Sequence, residues 1–361
     1  MPRNRVIYQS EALYVSKDAN STAVGDHKQL ERVQSANYSF SFNRTDINQY
    51  GQLGKLDTIQ LEPPTVSFDC SYYITEGFNE RALGFFVQTG TAEGGFISGH
   101  LADGSGRNLY ILTASEGLDA NGVNTSAATN SVIGVGNAYL TNYSVEMAIG
   151  SIPTASLSYE ALNIITDADA STIVSAAINP VDGVRSVSSI TLPTATSGVS
   201  AISAIRPGDI TVDISNFSGS TLSNLTNGNA GIHIQSASLS IPLSRSPLQR
   251  LGSKNAYARS TDFPIEATLS VSAIVNDVTD RSLSLVLADE AEKDVTITLK
   301  DSSGTNRMIY KLKSCSLVSE SFSSSLGSNK TVDLQFKTSI GGPGDTTNGI
   351  LVSGNNKTAA F

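Results

Sequence analysis

Histidines, a glycine-flanked serine and paired aspartates are the residues whose types suit chemistry, and their spacing argues against each reaction in turn. His27, His100 and His233 are the only histidines, and none has a Cys, His or carboxylate at a metal-ligand interval, so they read as structural. Gly94-Gly95-Phe96-Ile97-Ser98-Gly99-His100 sets a serine near glycine and histidine but lacks the G-x-S-x-G elbow that presents a nucleophile. Asp103-Gly104-Ser105-Gly106 and Asp119-Ala120-Asn121-Gly122 have turn chemistry without the spaced carboxylates and closing Glu of a calcium loop. Asp167-Ala168-Asp169 is an acidic pair on a loop, suited to solvation rather than acid–base catalysis. The glycine-rich runs match neither a phosphate-cradling loop nor a dinucleotide fingerprint. No catalytic, metal or cofactor site is expected, and the chain is not expected to be an enzyme.

The informative residues are those that occur twice. Val33-Gln34-Ser35-Ala36-Asn37-Tyr38-Ser39-Phe40-Ser41-Phe42-Asn43-Arg44 returns 201 positions later as Ile234-Gln235-Ser236-Ala237-Ser238-Leu239-Ser240-Ile241-Pro242-Leu243-Ser244-Arg245. The register holds without a gap to Ile74/Val275, and the identities include Arg44/Arg245, Gly51/Gly252, Pro63/Pro264 and Ser71/Ser272. Each arginine closes a strand, where it is suited either to clamping a neighbour's carboxylate or carbonyls or to satisfaction within its own domain. Each glycine suits a backbone conformation that other residues resist. Each proline suits the first position of a strand. A repeated β unit presents two near-equivalent surfaces, the property required of ring and tube subunits.

The elements that would position these residues are strands. Tyr38, Phe40 and Phe42 alternate with polar neighbours, as do Leu239, Ile241 and Leu243, which predicts strands with one wet face. A second alternating run, Val66 to Tyr72, is answered by Ala267 to Ala273. Between the runs lie long polar loops, Thr45–Glu62 and Ser246–Phe263, and their retained length argues for function. Phe78–Leu83 and Val278–Leu283 are expected as short helices. Leu109–Leu112 parallels Val295–Leu299, and Ala138–Tyr159 parallels Cys315–Phe336 at an offset of 177 because the first copy is longer around Asp103–Asn130. The expected fold class is therefore mainly β, with two tandem sandwich or barrel domains related by internal duplication, each with one short flanking helix. Their bounds are 1–165 and 206–361. Residues 166–205 read as a partly ordered connector, Gly341 onward as a turn cluster, and Ile350-Leu351-Val352 as a C-terminal arm suited to docking.

Composition agrees with this class. Charged residues make up 16% and Trp is absent, which suits turn-rich sandwiches rather than helical bundles. The net charge of -9 falls mainly on residues 1–165, which hold 9 Lys+Arg against 16 Asp+Glu, so binding of nucleic acid through basic patches is disfavoured. Cys70 and Cys315 read as buried thiols, with a bridge between the halves as the alternative. Residues 1–11 do not resemble a secretory signal, and no window reaches the length of a membrane-spanning helix. The chain is expected to be soluble when made, in a reducing compartment, without a membrane anchor.

Arg5 to Val15, Ile152 to Glu160 and Ile234 to Val275, with Leu248-Gln249-Arg250-Leu251-Gly252 inside the last, resemble a bacteriophage major tail tube protein of the duplicated, two-domain kind. The resemblance covers both repeats and leaves residues 166–205 unexplained. It implies two tail-tube-like domains whose sheets join neighbours into a barrel around a channel. Three copies would then make a pseudo-sixfold ring, and rings would stack into a conduit for DNA ejection. It also implies that the long loops reach the adjacent ring, which makes Arg44, Asp46, Gly51, Leu53, Lys55, Arg245, Leu248, Arg250, Gly252 and Tyr257 the candidates for inter-ring or inter-subunit contact. The expected partners are other copies of the chain, other tail proteins at the tube ends, and passing genomic DNA without specific binding. The expected location is the virion tail, after synthesis and assembly in the host cytoplasm. Two alternatives are another tail ring component, such as a baseplate hub or distal tail ring, and a β-sandwich module that binds glycans.

Overall fold

Alternating sequence becomes strand almost throughout. The computed structural model describes residues 10–355 except 62, 90–94, 103–105, 116, 197–199, 201, 215–231, 276–291, 324–328, 330, 343–344 and 346. The first half runs β1 (Glu11–Ser16), β2 (His27–Gln29), β3 (Val33–Ser41), β4 (Arg44–Ile47), β5 (Asp57–Gln60) and β6 (Thr65–Tyr73). Helices α1 (Phe78–Ala82) and α2 (Ser98–Ala102) follow, then β7 (Arg107–Thr113), β8 (Ser131–Ala148), β9 (Thr154–Ala161) and β10 (Asn163–Asp167). The second half runs β11 (Ile210–Ile214), β12 (Ile232–Pro242), β13 (Arg245–Leu248), β14 (Ala258–Thr261) and β15 (Ile265–Val275). It ends with β16 (Lys293–Lys300), β17 (Asn306–Ser323), β18 (Thr331–Ile340) and β19 (Gly349–Gly354).

The two halves pair their strands alike. β3 meets β6 with Val33 opposite Tyr72 and one extra residue at Gln34, while β12 meets β15 with Ile234 opposite Ala273 and the extra residue at Gln235. Each extra glutamine turns its side-chain amide back to donate to the carbonyl two residues earlier, at 3.0 Å on Arg32 and 3.1 Å on His233. β8 and β17 are the long strands, each 18 residues. β8 pairs first with β7 and β10, then with β9; β17 pairs first with β16 and β19, then with β18. The change of neighbours falls between a residue of positive φ, Asn137 at 51° and Ser314 at 50°, and a bulge, at Thr141 and at Val318. A bulge bends a strand and raises its twist, which lets one strand serve two groups of neighbours. The positive-φ amides are capped alike, by Asn108 Oδ1 at 3.0 Å and Asp294 Oδ1 at 3.3 Å. β1 on β7 likewise corresponds to β11 on β16.

The halves are fused rather than strung. β12 lies antiparallel to β8, from Ser236 opposite Ala148 to Pro242 opposite Asn142, so 15 strands form one sheet. One apolar core runs through both halves, from Leu13 and Phe68 to Tyr310 and Phe336. The Tyr143 and Tyr310 hydroxyls meet at 2.9 Å across the boundary, and Glu80 accepts from the Tyr72 hydroxyl at 3.0 Å beside them. Arg307 of the second half reaches Glu76 of the first at 3.1 Å.

Three expectations change, and a fourth falls outside the described residues. The long loops are ordered hairpins, β4 with β5 and β13 with β14, because their flanks alternate and pair from Arg44–Gln60 and Arg245–Thr261 inward. The two described helices both belong to the first half; the helix expected at Val278–Leu283 lies outside the described residues. Ile350–Val352 is no free arm but the middle of β19, buried on β17 in the place that β10 takes on β8. The connector begins inside β10, and its described part forms a second apolar layer on the outer face of the first half, burying Ile173, Ala176, Ile190 and Leu192 against Tyr14 and Tyr110. Cys70 and Cys315 are free and buried, and burial pushes each thiol up to about 12.

Candidate functional site

Two edges and two hairpins set this molecule apart. Within the chain, the edge of β12 is covered by β8. Leu239, Ile241 and Leu243, all fully buried, fill that seam. At the matching positions of β3, Tyr38, Phe40 and Phe42 are 43%, 53% and 50% exposed. β3 pairs with β6 on one side, and no described strand lies on the other. The segment Ser319–Ser323 of β17 is likewise paired only with β18, whereas the matching part of β8 holds both β9 and β12.

The two repeated arginines separate at this point. Arg245 spans the internal seam, donating to the carbonyls of Leu140 at 3.4 Å, His100 at 3.1 Å and Arg259 at 3.2 Å, with its guanidinium 5.5 Å from the Tyr139 ring. Arg259 adds an ion pair to Glu160 at 2.6 Å. Arg44 is exposed and lies 5.4 Å from the Phe42 ring. A clamp on a neighbour's carbonyls is therefore formed in one copy, with the first half as the neighbour.

The hairpins also differ. In the first, Asp46 accepts from Thr58 at 2.6 Å and from Lys55 at 3.2 Å, which holds its carboxyl below the usual range. Gly51 turns the tip at φ 86°, and Tyr50 and Leu53 are fully exposed. In the second, Gly252 turns at φ 84°, Leu251 is fully exposed, Leu248 is 41% exposed, and Arg250 lies 5.1 Å from the Tyr257 ring. That hairpin is tethered, because the Lys254 and Asn255 amides donate to Val181 and Pro180 of the connector, each at 3.0 Å. Thus Asp46, Gly51, Leu53 and Lys55 sit together on a free hairpin, Leu248, Arg250, Gly252 and Tyr257 on a tethered one, and Arg245 inside the seam.

The residues weighed for chemistry are dispersed. His100 is buried edge-on to Phe85, and burial, reinforced by Arg107 and Arg245, pushes it well below the usual imidazole value. His27 is lowered by burial, its Nδ1 2.9 Å from the Ala23 carbonyl. His233 is exposed on β12. Gly94 and Asp103–Ser105 lie outside the described residues. Among the described residues, no three His, Cys, Asp or Glu side chains gather as a metal site. No described helix is long and apolar enough to cross a membrane. What sequence reasoning missed is the polar seam of Tyr72, Glu80, Tyr143 and Tyr310, because residues up to 238 positions apart meet there only after folding.

No family model matches the chain, and no curated protein matches it. A chain of the anti-feeding prophage baseplate, solved by cryo-electron microscopy with sixfold symmetrisation, aligns with 41% of this chain and 92% of its own, at 15% identity and a TM-score of 0.27. At that score the likeness carries no argument about function.

Proposed function

We propose that this is a structural virion protein whose copies join as trimeric, pseudo-sixfold rings stacked into a phage tail tube, a conduit for DNA ejection. The observation that carries the reading is the internal seam: one half adds edge to edge to the other, and the same two kinds of edge have no strand paired to them among the described residues. Such head-to-tail contacts close into rings when the rotation between units allows it. Open edges also need covering, since bare strand edges invite uncontrolled pairing. The exposed apolar tips of both hairpins supply contacts from ring to ring. The acidic balance of the chain suits a wall past which DNA, with one charge per ~1.7 Å of duplex, slides without sticking. Other tail proteins would bind the tube ends.

Light scattering and negative-stain images of the purified protein test this. Rings of three times 37.9 kDa, or tubes, are expected, and a stable monomer at high concentration overturns the reading. Deleting Gly51–Leu56 shortens the free hairpin to the turn Asn48–Tyr50 and is expected to leave rings that no longer stack. Filaments of normal length from that variant refute the hairpin's role. Wild-type rings that never polymerise favour a hub or distal ring instead.

A further inference from the structure

We infer that the open edge of β3 binds the Ser319–Ser323 segment of β17 from a second copy of this chain, in the register that β12 keeps with β8. This rests on the reading of the chain as a ring subunit and specifies its contact. The β8–β12 register, transferred through the matched halves, places Asn37 opposite Ser323, Ser39 opposite Ser321, Phe40 opposite Glu320 and Ser41 opposite Ser319.

Four observations converge on that occupant. Among the described residues, both strands have one edge unpaired, over the same lengths that pair inside the chain. Tyr38, Phe40 and Phe42 are about half exposed where their counterparts are buried. The groove lined by Leu13, Val33, Gln34 and Ala36 recurs as one lined by Val212, Ile234, Gln235 and Ala237; the latter is also lined by Met147 and Ala148 of β8 and by Ile149 beyond it, where the former has Asp119, Asn121 and Thr196. The carbonyl of Thr141 accepts from the Leu243 amide at 2.8 Å, while its counterpart Val318 is 57% exposed on an open edge. In the second-copy contact, the Phe42 amide takes the Val318 carbonyl, and Arg44 takes that of Leu317, as Arg245 takes that of Leu140. Glu320 occupies the place of Tyr143, so its carboxylate is the group that docking desolvates; Glu320→Gln is expected to tighten association.

Chains carrying Ser39→Cys are mixed with chains carrying Ser321→Cys, assembled and mildly oxidised. Residues directly opposite in an antiparallel pair lie within disulfide reach, whereas a two-residue offset does not. The expected product is a two-chain band on a non-reducing gel, mapped to the 39–321 bond, with no band from Ser39→Cys mixed with Ser319→Cys. The native thiols are buried and stay out of the reaction. Phe40→Asp, at a site exposed in the single chain, is expected to leave monomers of unchanged secondary structure. Rings that form without the 39–321 link, or with the offset link instead, overturn this register and leave the ring reading standing. Monomers from the wild-type chain overturn both. A 39–321 bond within one chain, seen when both cysteines are on the same polypeptide and no two-chain band appears, overturns the second copy as occupant.

Discussion

β3 and β12 hold matching places in the two halves, share a register with β6 and β15, and carry the same bulge glutamine. Their environments are opposite: one strand is a seam, the other an edge that no described strand covers. The residues record the difference in type. The seam uses Leu239, Ile241 and Leu243, aliphatic side chains that pack from both sides, while the edge uses Tyr38, Phe40 and Phe42. Aromatic side chains bury large areas and are favoured where a contact is made between molecules. The lesson is that exposure at a repeated position reports what the first half lacks inside one chain.

The largest effect expected from this contrast comes from truncating each side of it. Leu239→Ala removes a fully buried side chain and is expected to cost about 2–5 kcal/mol of chain stability in urea or thermal melts. Tyr38→Ala, at the matching position, is expected to cost the single chain about 1 kcal/mol or less while removing assembly in light scattering. Equal losses of chain stability at both sites would break the comparison, since they would mean that β3 is already covered.

A smaller effect belongs to the polar group beside the seam. Burial raises the Glu80 carboxyl above its ordinary value of 4.5, against hydrogen bonds from Tyr72 and Tyr143 that lower it. The folded chain then keeps a proton that the unfolded chain gives up. The stability this adds is complete below the ordinary value and is lost as pH rises through the folded one. Glu80→Gln keeps an acceptor for the Tyr72 hydroxyl and has no proton to lose. Its melting temperature is expected to exceed that of the wild type at neutral pH, with the gap closing as pH falls toward 4.5. A gap that does not change with pH would show that Glu80 is ionised at no cost in the seam.

Much of this was legible before folding. The constant offset of 201 located both strand pairs, and the identities Gln34/Gln235 and Gly51/Gly252 mark a bulge and a hairpin tip in both copies. The segments between read as long polar loops because their length hides a pairing that begins only at Arg44 and Arg245. Residues 166–205 were illegible for another reason: their packing is carried by single apolar side chains with no period. One signal did point to them. β8 carries Gly134 and Gly136 where β17 carries Lys311 and Lys313, and a Cβ on Gly136 would strike the Ala176 carbonyl of the connector. Glycine inside a strand marks the close approach of another backbone. Arg44 and Arg245 are each suited, by sequence, either to a neighbour or to their own domain. The seam satisfies Arg245, and an arginine that recurs at the same place in both repeats carries no mark of which one a neighbour will meet.

The smallest expected effect is also the one that reads the contact by charge. The internal seam carries the Arg259–Glu160 ion pair, and the matching positions hold Thr58 and Lys337, whose own partner is Glu266 at 2.5 Å. In the second-copy contact, Thr58 of one chain faces Lys337 of the next. Thr58→Glu therefore recreates the pair with its polarity reversed and is expected to favour association by about 0.5–1 kcal/mol, roughly two- to fivefold in the midpoint concentration of assembly. Thr58→Arg is expected to shift that midpoint the other way. Thr58→Gln loses the same Thr58–Asp46 hydrogen bond without adding charge and is the reference for both variants. Salt should shrink the difference between them, because both charges stand partly in solvent. Two variants that assemble equally would place Lys337 away from Thr58 and the second copy in another orientation.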